Sequence, residues 1–236
     1  MNSITRYPVV GRVAGVLYLS IIACGLFSEV FVRGELIVND DPITTVSNIK
    51  ESALLYQSGF VADVLMLLCD AAVAGLFYCL FKSSSQMFAM LVAIFRMIQT
   101  AVLGMNLLNY YAPWLVINTV TDDLQQQSLI MLFLDLHRYG YDLGLIFFGI
   151  SNVLLGVLFM RSVRLPVVLG IGLVATGLIY LTGSFTRFVT PQWVDLVQPS
   201  YVVAFVVETS LCIWLLSGGK RKSASVLSDD ERNDCV

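Results

Sequence analysis

The chain has 236 residues, 57% hydrophobic and 13% charged, with mean hydropathy +0.80 and formal net charge −3. A typical soluble domain is about 25% charged, so this composition excludes a water-soluble globule, whose long uncharged runs would have no side to turn to water. The acidic balance gives no basic face for nucleic acid, and Cys24, Cys69, Cys79, Cys212 and Cys235 form no CxxC pair, so neither a disulfide framework nor a zinc motif is expected.

A helix needs about 20 mostly apolar residues to cross a hydrocarbon core of about 30 Å. Six such runs occur, at residues 9–32, 54–81, 87–108, 129–160, 165–181 and 197–216. The first follows Arg6 and Arg12 in the manner of a signal sequence, but its apolar stretch continues past Cys24 and predicts a retained helix. The fold class expected is therefore all-α: a polytopic bundle of six transmembrane helices, with residues 1–219 forming one domain. The polar, charged residues 220–236 predict a disordered cytoplasmic tail.

Orientation follows from the loops. Arg6, Arg12, Lys82, Arg161, Arg164, Lys220, Arg221, Lys222 and Arg232 all fall on the side that carries both termini. The opposite side has Arg33, Lys50 and Arg187 among Glu35, Asp40, Asp41, Glu51, Asp122, Asp123 and Asp195. Cytoplasmic loops are enriched in Lys and Arg, so both termini should be cytoplasmic. Trp114, Trp193, Tyr110 and Tyr111 then fall at the outer interface, where amphipathic rings sit at headgroup level.

Charged groups inside spans are costly, at least about 2.5–3.5 kcal/mol each at the centre, and they usually pair within the bundle. Two groups stand out. In the deep one, Asp70 and Glu208 each lie 12 residues from a cytoplasmic basic residue, and Arg96 reaches a similar depth with Gln99 one turn beyond it. Arginine stays protonated, so Arg96 is expected to pair with Asp70, Glu208 or both. The group reads either as a buried ion network that fixes helix register or as part of a proton or substrate path.

The second group lies toward the outside: Glu29 and Arg33, Asp63, Asn106 and Asn109, then Asp135, His137, Arg138 and Asp142, with Arg187 at the end of the fifth run. Asp135, Arg138 and Asp142 share a helical face at i, i+3 and i+7. His137 is the only histidine, and a histidine flanked by carboxylates can serve as a general base. No HxxxH, HExxH or GxSxG motif is present, so no metal, cofactor or serine nucleophile is expected. The bland alternative is a hydrogen-bond network that closes the outer end of the bundle.

A faint internal repeat accompanies these groups. Asp63 and Asp142 each lie 19 residues before a basic residue, Lys82 and Arg161, and the same register sets Trp114 against Trp193. Glycines at Gly11, Gly15, Gly170, Gly172 and Gly177 permit close helix contact.

Five stretches carry a family resemblance: Gly25-Leu-Phe-Ser-Glu-Val-Phe-Val-Arg33, Asp63-Val-Leu-Met-Leu-Leu-Cys-Asp70, Arg96-Met-Ile-Gln-Thr-Ala-Val-Leu-Gly-Met-Asn106, Leu132-Phe-Leu-Asp-Leu-His-Arg-Tyr-Gly-Tyr-Asp142 and Gly183-Ser-Phe-Thr-Arg187. The chain resembles the bacterial membrane proteins grouped as domain of unknown function 4386. The resemblance implies a bacterial inner-membrane protein and brings no catalytic assignment.

Three functions remain open. Binding or transformation of a lipid-like small molecule predicts a pocket opening outward or into lipid. A proton-coupled transporter built on Asp70, Arg96 and Glu208 predicts a path to both sides, although no span carries the Gly/Pro break common at transporter sites. A structural subunit predicts an exposed small-residue face for a membrane-protein partner. Membrane lipid is the surrounding partner in every case.

Overall fold

A computed structural model describes residues 3–38, 41–163 and 165–218. The expected disordered tail lies outside the described residues. Six helices are long and apolar enough to cross a membrane. Span 1 is Pro8–Leu36, span 2 Ala53–Phe81, span 3 Gln86–Thr119, span 4 Asp123–Arg161, span 5 Val167–Val189 and span 6 Pro191–Leu216.

The spans form a closed ring in chain order. Each packs on its chain neighbours, and span 6 returns to span 1. That closure rests on small residues: a Cβ at Gly15 would come within 2.7 Å of the Leu216 backbone nitrogen. Cys212 Sγ lies 3.4 Å from the Gly15 carbonyl. Gly218, at φ +88°, turns the chain against Pro8, a backbone conformation that side chains disfavour. Pro8 and Gly218 therefore lie together at one end of the ring, with Arg12, Lys82 and Arg161. This is the basic end, and the opposite one is the far end.

Lipid tails are as apolar as leucine, so burial in lipid does not drive helices together; close packing and polar contacts do. Spans 4 and 5 show the packing side. Gly149 faces Gly177 and Gly156 faces Gly170 across the pair, and a Cβ at any of the four would come within 2.5–2.9 Å of the opposite glycine's carbonyl oxygen. Three aromatic side chains, Phe81, Phe159 and Trp214, fill the ring at the basic end, with centroids 5.3–6.4 Å apart.

Spans 1 and 6 exceed expectation at the far end by a few residues, and spans 3, 4 and 5 do so as well. Span 3 runs to Thr119 rather than stopping near 108, span 4 begins at Asp123, and span 5 continues to Val189. Hydropathy marks the part of a helix that meets lipid, whereas the hydrogen-bonded ladder ends only at a cap. Asp122 supplies that cap for span 4 by accepting from the Gln125 amide at 2.8 Å. At about 1.5 Å per residue, the 39 residues of span 4 reach about 58 Å, well beyond a 30 Å core.

The projecting part is roofed by a helix that hydropathy did not predict, Pro42–Glu51. Asp41 caps it through the Thr44 amide at 3.0 Å and hydroxyl at 2.6 Å. Lys50 ties it to span 4 through Gln126 at 2.9 Å. Its Val46 and Ile49 pack with Val32, Leu36, Tyr110, Ile130 and Leu134. Tyr110 is thus fully buried, not an interfacial anchor, because span 3 continues past it into a packed cap. Trp193 remains 55% exposed, as an interfacial ring would be.

Candidate functional site: polar layers inside the helix ring

The polar side chains form layers within the ring, and the first is deep. Arg96 and Asp70 are 1% and 2% exposed. Arg96 Nε donates to Asp70 Oδ1 at 2.6 Å, and Nη2 lies 2.5 Å from the same oxygen. The Thr100 hydroxyl sits 2.7 Å from Asp70 Oδ2 and 2.9 Å from the Arg96 carbonyl. The guanidinium carbon lies 4.9, 5.1 and 5.3 Å from the centroids of Phe148, Tyr18 and Phe77. Cation–π contacts strengthen as water is excluded, so spans 1, 2 and 4 all help to hold this charge.

Glu208 faces the same centre from span 6, but its partner is another residue. The Tyr180 hydroxyl donates to Glu208 Oε1 at 2.8 Å. Of the two acids expected for Arg96, Asp70 is the one bonded. Gln99, expected beside Arg96, is 6% exposed, and its side-chain oxygen has no hydrogen-bond partner. Tyr18, Thr100 and Tyr180 were absent from the sequence-derived group. The available signal was position: Tyr18 and Tyr180 sit in mid-span, away from the interfacial belts where tyrosine usually lies.

A second layer links spans 1, 2 and 3. Span 1 widens into a π-helical stretch over Phe27–Arg33, a feature frequent at functional sites. Arg33 Nε donates to Glu29 Oε2 and Nη1 to Asp63 Oδ2, both at 2.7 Å. The Arg33 guanidinium also lies 5.4 Å from the Tyr110 ring centroid. Ser28 on the same stretch donates to the Gly59 carbonyl at 2.9 Å, securing span 1 to span 2. Asp63 is 1% exposed, whereas the Glu29 side chain is 70% exposed.

The remaining outer residues separate into three places. Asn106 holds His137 between spans 3 and 4: its amide donates to the His137 carbonyl at 2.7 Å and lies 3.2 Å from Nδ1. Asn109 donates to Asn106 Oδ1 at 3.1 Å. Gly140 leaves the room for this, since a Cβ there would overlap the Asn106 amide. The His137 ring packs 5.3 Å from Tyr110 and 6.4 Å from Tyr141. Its ring makes no hydrogen bond to a carboxylate among the described residues, so the acid-flanked histidine is not formed.

Asp142 instead pairs with Arg187 across spans 4 and 5. Asp135 and Arg138 lie 3.4 Å apart on a face where both side chains are about half exposed. The i, i+3, i+7 stripe thus divides, because span 4 packs Asp142 inward while its upper turns rise out of the ring. The repeat seen in sequence has a counterpart: Asp63 and Asp142 are both buried, and each meets an arginine from the far end of a neighbouring span.

No three His, Cys, Asp or Glu side chains among the described residues converge to hold a metal. Tyr141, Tyr180, Tyr201 and Glu208 are only half-buried, although they belong to the inward polar set. The grooves on the outer surface are apolar. One of about 510 Å³ lies between spans 2 and 3 at Gly75, Met90 and Met97, and one of about 340 Å³ between spans 5 and 6 at Pro166, Gly172 and Trp214.

A family model described as Domain of unknown function (DUF4386) matches residues 13–219, most of the chain. No curated protein and no solved structure matches it.

Proposed function

The chain belongs to the DUF4386 family, and from that premise we propose that it binds a lipid-like small molecule inside the helix ring. The observation that carries this reading is the convergence of polar side chains from five spans: Tyr18, Asp70, Arg96, Tyr180 and Glu208. Keeping such groups in an apolar bundle is costly. Ion pairing meets part of that cost at Arg96 and Asp70, while Glu208 is met by the neutral Tyr180 hydroxyl. An amphiphile suits the surroundings, because its tail can lie among apolar helices while its head meets these groups.

The proposed setting is a bacterial inner membrane with both termini in the cytoplasm. The family resemblance supports the membrane, and the basic residues Arg12, Lys82 and Arg161 at the end where Pro8 meets Gly218 support the orientation. Glu29, Asp63 and Arg33, with Asp142 and Arg187, then stand near the outer hydrocarbon boundary.

Native mass spectrometry of protein purified in a mild neutral detergent tests the reading. Wild type should retain a small molecule of defined mass, and Tyr18→Phe, which alters the deep layer beside Arg96, should weaken it. A wild type that carries no adduct from cells, and none after incubation with total lipid extract, would overturn it.

A further inference from the structure

The deep layer has unequal charges. Arg96 is met by Asp70 at 2.5–2.6 Å. Glu208 forms no ion pair within 4 Å among the described residues, and its one hydrogen bond comes from a neutral phenol. With Glu208 ionised, Arg96, Asp70 and Glu208 together lack one positive charge, although Arg96 also acts on Glu208 at longer range. An unpaired carboxylate in a bundle core is far more costly than a paired one.

The surroundings favour one kind of compensating charge. Tyr180, the donor to Glu208, has its ring 5.4 Å from Phe148 and 5.6 Å from Tyr201. Ring faces attract ammonium groups, and the core already holds one cation in this way, Arg96 among Tyr18, Phe77 and Phe148. A small metal ion would find one carboxylate and phenols, a poor oxygen set for a hard cation.

A second observation comes from the adjoining helices. The Asn152 amide and the Thr176 hydroxyl are 1% and 0% exposed and have no hydrogen-bond partner. Asn152 lies one turn past Phe148 and Thr176 one turn before Tyr180, on the same faces. Buried polar groups are nearly always bonded, and these two stand one turn from the Phe148 and Tyr180 rings.

We propose that Glu208, Tyr180 and the rings around them bind the ammonium head of an amphiphilic amine. This deepens the reading above and rests on it. Glu208 supplies the counter-charge, Tyr180 orients the carboxylate and presents its ring, and the tail runs between the helices. No bond is made or broken in the step.

The test compares three probes that share a twelve-carbon tail: dodecyltrimethylammonium, dodecanol and dodecyl phosphate. Each is added at equal micromolar concentration to the full chain in a maltoside detergent, and retention is read by native mass spectrometry. Wild type should retain the ammonium probe. Glu208→Gln should reduce that retention at least about tenfold, as removing one member of a buried charge pair does. Tyr180→Phe should reduce it about threefold, the effect of one hydrogen bond. Glu35→Gln, which removes an exposed acid at the far end, should retain the ammonium probe as wild type does. If dodecanol or dodecyl phosphate is retained and the ammonium is not, the cation assignment falls while the amphiphile reading stands. Retention of none of the three overturns the assignment and counts against that reading too. Equal ammonium retention by folded Glu208→Gln, judged by thermal melting, also overturns the assignment.

Discussion

Tyr56 and Tyr110 clasp each other across spans 2 and 3: each hydroxyl donates to the other's backbone carbonyl, and the rings stack with centroids 4.6 Å apart. The contact sits where the spans rise into the far-end cap, so it fixes the register of both the bundle and its roof. Each carbonyl belongs to a helix, so the phenol adds a second bond to it. Tyr56→Phe and Tyr110→Phe should each cost about 0.5–1.5 kcal/mol. The double variant should depart from additivity, because the two bonds share one geometry. Thermal melting in detergent reads all three, and strict additivity would mean the two bonds act independently.

Arg96 and Asp70 make a sharper case. Arg96→Met leaves a buried carboxylate alone and should cost about 3–5 kcal/mol. Combining it with Asp70→Leu removes both charges and should restore most of that loss. An Arg96→Met protein as stable as wild type would refute the pairing.

The glycine seam between spans 4 and 5 predicts that bulk is refused there. Gly156→Ala and Gly177→Ala should each destabilise by about 1–3 kcal/mol, the usual cost of overpacking. A methyl group at Gly75 would meet nothing within 4 Å, so Gly75→Ala should be neutral or slightly stabilising. Melting temperatures of the three variants decide it.

Asp135 and Asp142 lie seven residues apart on one helix and should behave differently. Asp135 sits half exposed beside Arg138, so Asp135→Asn should change stability by no more than about 0.5 kcal/mol. Asp142→Asn leaves the partly buried Arg187 without its carboxylate and should cost about 1–3 kcal/mol. Similar losses in both would contradict the division of the outer group.

Outside the spans, Asp41 gives a pH prediction. The Thr44 hydroxyl, and then its amide, hold the Asp41 carboxyl below its ordinary range. A depressed folded value means that the cap's contribution is present above the unfolded value, near about 3.9. It is lost as pH falls through the folded one. Amide exchange in Pro42–Glu51 should therefore accelerate relative to the bundle on acidification below about pH 4. In Asp41→Asn that added pH step should vanish.

The sequence alone determined that six runs are long and apolar enough to cross a membrane, that the basic residues gather at one end, and that Asp70, Arg96 and Glu208 share a depth. These follow from one-dimensional quantities: run length against bilayer thickness, and residue spacing against helical rise. Depth does not fix azimuth. Whether Arg96 met Asp70 or Glu208, whether His137 met an acid or Asn106, and which face of span 4 turned inward all depend on the order of helices around the ring. That order was set by contacts such as Gly149–Gly177 and Gly15–Leu216, which carry no hydropathy signal. The far-end cap was hidden for the same reason, since Tyr110 and Ile49 become core only when the Pro42–Glu51 helix folds over them. Tyr18 and Tyr180 passed as ordinary apolar-run residues because their hydroxyls gain meaning only beside the charges that tertiary packing brings to them.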